Sequence, residues 1–105
     1  MEVTMRFVVH ISLPAEKFNK AILDGTVGQK MEKILKETKP EAAYFTAKDG
    51  KRGGVFIYNM SDPSEMPKIG EPWFLLFDAT VEFLPAMTPQ ELQKAGLEKL
   101  ADKWK

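Results

Sequence analysis

One histidine, His10, is the only side chain in this sequence with an ordinary pKa near neutrality, so it is the first candidate for moving a proton. It sits in a strand-like run, Met5-Arg6-Phe7-Val8-Val9-His10. From there it could act as a general base, a proton shuttle or a heme ligand. A histidine hydrogen-bonded at a subunit interface fits the same position. Glu82 lies in a second strand-like run and faces the same way if the two strands are neighbours. A buried glutamate needs a partner, and Arg6 or His10 would supply it. A His–Glu pair suits proton transfer across an enol or lactone carbon. A structural ion pair uses the same groups.

Tyr44 and Tyr58 are the next candidates: their hydroxyls could bond a ligand oxygen at the end of an apolar slot, or they pack across strands with the hydroxyls in water. Trp73 could line a pocket mouth, but Trp73, Phe74 and Phe77 together equally read as the apolar staple of a helix on a sheet. Arg6 completes the ligand-binding candidates. The methionines are scattered and read as core filler or surface. Gly25 and Gly28 lack the following Lys-Ser/Thr of a phosphate loop, and Asp49-Gly50-Lys51-Arg52-Gly53-Gly54 is explained by a hairpin tip.

Other chemistries are excluded by composition. With no cysteine, there is no thiol catalysis, disulfide or thiolate-bound metal, and one histidine makes a His-rich zinc site implausible. No metal and no cofactor is expected from the residue pattern. Fifteen basic and fifteen acidic residues cancel, which argues against nucleic acid and against anionic membrane as partners. The N-terminal run has one acid and one base among apolar residues and does not read as a signal peptide; no apolar stretch approaches the ~20 residues of a membrane span. A cytoplasmic protein is expected. A length of 105 residues predicts a single domain over 1–105.

The elements that would position these side chains can be read in order. Val3 to Leu13 is a strand with apolar groups on both faces, hence central. Pro14 opens a helical stretch, Ala15 to Glu37, with Phe18, Ile22, Met31, Ile34 and Leu35 at helical spacing. Asp24-Gly25-Thr26 interrupts it, giving one kinked helix or two short ones, with Thr26 as a possible cap for the second; Pro40 ends it. Ala42 to Ala47 and Gly53 to Met60 are strands joined through Asp49-Gly50, a strong hairpin signal. The Gly53-Gly54 pair suggests a bulge or a close backbone approach. Asp62-Pro63-Ser64-Glu65 starts a helix that Pro67, Gly70 and Pro72 should leave short and irregular, recovering over Glu71 to Leu76. Ala79 to Leu84 is the fourth strand. Thr88-Pro89-Gln90-Glu91 caps a last helix running to about Lys103, with Leu92, Leu97 and Leu100 as its apolar positions.

The order β-α-β-β-α-β plus a C-terminal helix closes most economically as a ferredoxin-like α+β fold, a four-stranded antiparallel sheet with helices on one face. Alternation then groups Arg6, Val8 and His10 with Phe56, Tyr58, Tyr44, Thr46, Thr80, Glu82 and Leu84 on the open face. A mixed aromatic and charged face of that size is seldom left bare. Either a second copy packs there, giving a homodimer, or a small-molecule ligand or the C-terminal helix covers it.

The run Met5-Arg6-Phe7-Val8-Val9-His10 resembles the first strand of muconolactone isomerase and of small monooxygenase-like proteins. Glu71-Pro72-Trp73-Phe74, followed by Val81-Glu82-Phe83-Leu84-Pro85-Ala86-Met87-Thr88-Pro89, resembles a group of small bacterial proteins of the dimeric α+β barrel superfamily. The resemblance implies a barrel-like dimer closed through the sheets. It also implies an isomerase-like or monooxygenase-like small-molecule enzyme, or a binding protein, with a cavity on the sheet face. The alternative is a non-catalytic dimerisation module without a ligand. One fold carries many reactions in this superfamily, so no catalytic residue is carried over from it.

Overall fold

A computed structural model of the chain describes residues 4–105. Four strands, β1 (Met5–Leu13), β2 (Ala42–Lys48), β3 (Lys51–Met60) and β4 (Thr80–Ala86), form one sheet in the order β2-β3-β1-β4, antiparallel throughout. Helices α1 (Ala15–Leu23) and α2 (Val27–Thr38) connect β1 to β2, and α3 (Met66–Phe77) connects β3 to β4. Two further helices, α4 (Pro89–Lys94) and α5 (Leu97–Lys103), follow the sheet. This open α+β arrangement is consistent with a ferredoxin-like fold. The expected start of the first strand at Val3 lies outside the described residues.

The core is the layer between the sheet and α1–α3. Val9, Ile11 and Leu13 of β1 and Phe56, Tyr58 and Met60 of β3 are buried on that side, together with Ala21, Ile34, Ile69, Trp73 and Phe77 from the helices. Trp73 is its aromatic centre: ring centroids lie 5.3 Å from Phe56 and 6.2 Å from Phe77, and Phe18 stacks on Phe77 at 5.3 Å. The Trp73 indole N–H has no hydrogen-bond partner there, so apolar contact alone holds the ring. The Tyr58 hydroxyl lies 2.7 Å from Thr38 Oγ1, which itself donates to the Ile34 carbonyl at 2.7 Å. Thr38 has one hydroxyl proton, so Tyr58 is the donor, and the bond pins the end of α2 to β3. Burial raises the Tyr58 pKa.

Several local expectations change. The first helical stretch is two helices, one of the two expected forms, and Thr26 stands at the N-cap of the second without a side-chain cap; its hydroxyl and N–H both donate to Asp24 Oδ1, at 2.6 and 3.0 Å, so Asp24 organises the corner. Ile22, expected to dock the helix, is largely exposed, and Ala21 is the buried residue of α1. Far from being short and irregular, α3 runs for 12 residues through Pro72. Pro67 is harmless in the first turn. The hydrogen bond that Pro72 cannot donate is offset by burying Ile69, Gly70, Trp73 and Phe77 on the sheet. The last helix is broken in two, because Gly96 takes the left-handed conformation at φ 67° and stops the first segment.

The hairpin and both capping boxes form. Asp49 and Gly50 have φ of 54° and 74°, the pair of positive values a type I′ turn requires. Asp62 and Glu65, and Thr88 and Glu91, exchange reciprocal backbone bonds. No bulge interrupts β3 at Gly53-Gly54; the pair marks a close approach. A Cβ on Gly53 would collide with the Ile11 carbonyl, and one on Gly54 would lie 2.7 Å from the Phe56 ring.

Gly53→Ala is therefore expected to cost about 2 kcal/mol or more in urea unfolding, because backbone atoms of β1 must shift. Gly28→Ala, in an exposed helical position with open space around it, should instead stabilise by about 0.5–1 kcal/mol. Equal effects at the two sites would contradict this packing.

Candidate functional site

The face of the sheet away from the helices carries the even residues of β1. Arg6, Val8, His10 and Ser12 stand between Asn59, Ile57, Val55 and Gly53 of β3 on one side and Ala86, Leu84, Glu82 and Thr80 of β4 on the other. Beyond β3, the edge strand β2 adds Ala42, Tyr44 and Thr46, opposite Ile57, Val55 and Gly53. None of α1–α3 covers this face. Val8, Val55 and Ile57 are partly exposed, and Tyr44 and Leu84 largely so.

His10 and Glu82 are direct register partners on neighbouring strands. Directly opposed antiparallel residues hold their Cβ atoms within about 5.5 Å on one face, so an imidazole and a carboxylate share one patch. His10 is partly exposed and Glu82 exposed, so a proton acceptor and a charged neighbour are both accessible from the open side.

Arg6 has other partners than those expected. Its guanidinium pairs with Glu41, Nε to Oε2 at 3.7 Å, and with Glu91, Nη1 to Oε1 at 3.3 Å. Glu91 is the capping-box residue of α4, and its Oε1 also accepts the Thr88 N–H at 2.8 Å. These groups are substantially exposed, so the ion pairs contribute at most about 1 kcal/mol each. Their effect is positional: Arg6 ties the start of β2 and the root of α4 to one end of the open face.

Two expected site residues lie on the other side of the sheet. Tyr58 and Trp73 are buried between the sheet and the helices, as is Phe56, so none of them shares a surface with His10. The reason is register. A two-residue turn at Asp49-Gly50 pairs Lys48 with Lys51 and hence Tyr44 with Val55. Directly opposed residues share a face, so the odd residues of β3 accompany Tyr44, and Val55, Ile57 and Asn59 replace Phe56 and Tyr58. The turn residues carried this signal. The candidates brought together on one face are thus His10, Glu82, Arg6 and Tyr44.

Two clefts among the described residues lie away from this face. One of about 470 Å³ separates α2 from α3, lined by Ile34, Leu75, Leu76 and Pro72 under Lys30 and Lys33. Another, of about 230 Å³, lies beside Phe7, Met60 and Met66. Among the described residues, no group of three or more His, Asp or Glu is placed to hold a metal ion. None of their helices is long and apolar enough to cross a membrane. The chain matches no protein-family model and no curated protein sequence.

Capping sets the acid response of the helix starts. Glu91 is held below the ordinary glutamate pKa, first by the backbone N–H of Thr88; Glu65 is lowered first by the N–H of Ser61, and Asp62 by that of Ser64. A carboxylate with a depressed folded pKa stabilises fully above its unfolded value, and that contribution is lost as pH falls through the folded one. Acidification should therefore loosen the entry to α3 and the root of α4. The Thr88 and Glu91 amide shifts in NMR should titrate with a midpoint below the ordinary carboxylate range and stop doing so in Glu91→Gln. A midpoint at the ordinary value would contradict the cap.

Proposed function

We propose that two copies of the chain bring their open sheet faces together and enclose a site for a small organic molecule, with His10 as the proton-transferring group. The carrying observation is that His10 and Glu82 are register partners in the middle of an uncovered face, flanked by the apolar Val8, Val55, Ile57 and Leu84 and by Tyr44. Apolar walls with a few convergent polar groups are what small-molecule sites are made of. In a single chain this surface is open to water; a second copy would exclude water from around His10 and Glu82. Tyr44 and Arg6 would supply the outer polar contacts.

The pair suits proton transfer at a carbon next to a carbonyl or lactone, an isomerase-type step needing only an acid and a base. The resemblance of Met5–His10 to the first strand of the dimeric α+β barrel proteins supports both the barrel-like dimer and this class, with a monooxygenase-like reaction as its neighbour in the superfamily. A second reading, a dimerisation module with no ligand, has its own support: the clefts between α2 and α3 and beside Phe7, Met60 and Met66 do not include His10 or Glu82.

Native mass spectrometry of protein purified from its own host tests both. The expected result is a homodimer carrying a retained small molecule, which His10→Ala and Glu82→Gln lose while unfolding at unchanged urea concentration. A dimer that never carries a ligand favours the module reading. A strictly monomeric chain would rule out both.

A further inference from the structure

The segment after β4 does not behave as part of the domain. No residue of α4 or α5 is buried, and Leu97 and Trp104 are 58 and 83 % exposed. Leu92, Leu100 and Met87 are also exposed, so this short stretch presents five large apolar side chains to water. Helices of six and seven residues do not hold together in water by themselves. Yet this one is built as a definite element: a capping box starts it, Gly96 sets the angle between its halves, and Arg6 holds Glu91. The halves diverge around a cleft of about 510 Å³ between Leu92 and Leu97.

The whole-molecule dimensions show how much surface is unaccounted for. The radius of gyration is 17.2 Å and the extents are 60 × 35 × 19 Å, against about 13 Å for the radius of a compact domain of this length. The chain exposes 7876 Å². A compact monomer of 11.9 kDa would expose roughly 5,900 Å². The excess, roughly 1,900 Å², is more than twice the ~800 Å² that each partner contributes to an ordinary stable interface.

We infer that the α4–α5 arm of each copy packs on a second copy of this chain, alongside the sheet-face contact, so that two arms are exchanged across a two-fold axis. The inference rests on the reading that the open sheet face receives a second copy. A second copy is the occupant because the arm is rooted at the rim of that face. Arg6 belongs to the face and Glu91 to the arm, and the ion pair between them makes the two surfaces continuous. In a two-fold pair the rim of one face borders the partner, and an isologous contact buries both arms at once. The arm's charges nearly cancel, Glu91, Glu98 and Asp102 against Lys94, Lys99, Lys103 and Lys105, short of the strongly basic face that would direct it to an anionic surface.

Sedimentation velocity of the full-length chain, with tryptophan emission, tests this. Trp73 is buried in every state, so the difference between wild type and Trp104→Phe reports Trp104 alone. The expected result is a dimer in which Trp104 emission is blue-shifted and moves to the red on dilution. In the L97E/L100E double variant the dimer dissociation constant should rise about tenfold or more. Normal sedimentation of that variant as a folded species excludes unfolding, since both positions are already exposed. A double variant that dimerises as tightly as wild type, with Trp104 emitting as in water, overturns the arm exchange. If Val8→Glu abolishes that dimer, the sheet-face reading survives without the arm. A monomer with blue-shifted Trp104 would mean the arm folds on its own body, and a monomer with water-exposed Trp104 would overturn both readings.

Discussion

An extended chain must send successive side chains to opposite faces, and β1 is an inner strand of the sheet. Its odd residues, Val9, Ile11 and Leu13, therefore meet the helices, and its even residues, Arg6, Val8 and His10, cannot. Everything else follows from that partition. The helix-facing side is closed by Trp73, Phe56 and Phe77. On the other side, valines and isoleucines lie next to ionisable groups with no cover. A sheet with helices on one face only has this second face as a standing consequence, and its apolar content determines what the protein must do with it.

The same tension between apolar side chains and water recurs at the C-terminal end. Leu92, Leu97 and Leu100 lie on helices too short for independent stability, held at one end by a cap and an ion pair, with Trp104 just past the last turn. Arg6 connects the two regions. It stands on the open face, yet its partners are Glu41 at the start of β2 and Glu91 at the root of the arm. The effect of such an arrangement is geometric: a weak surface ion pair contributes little free energy, but it fixes where the arm departs.

Chemically, the open face offers one pair. His10 and Glu82 are neighbours because β1 and β4 are hydrogen-bonded in a register that opposes them. Neither Tyr58 nor Trp73 joins them. Tyr58 spends its hydroxyl on Thr38, and Trp73 is enclosed by other aromatic rings. The open face thus holds His10 and Glu82 beside apolar side chains, with Tyr58 and Trp73 on the other side of the sheet.

Local sequence determined what depends on a few adjacent residues. Asp49-Gly50 set the hairpin, Asp62-Pro63-Ser64-Glu65 and Thr88-Pro89-Gln90-Glu91 set two helix starts, and alternation placed His10 opposite the core-facing residues of β1. Element order was enough for the antiparallel α+β sheet, because few connections join such elements without crossing. What depends on distant partners was decided by the tertiary structure. Pro72 stays inside a regular helix because burial of Trp73 and Phe77 outweighs a missing hydrogen bond, and Phe56 and Tyr58 face inward because pairing with both β1 and β2 leaves them no other side. Leu92, Leu97 and Leu100 have the spacing of a core helix, yet they lie outside the core. Periodicity marks a side that avoids water, but only the packed structure shows that no element among the described residues buries it.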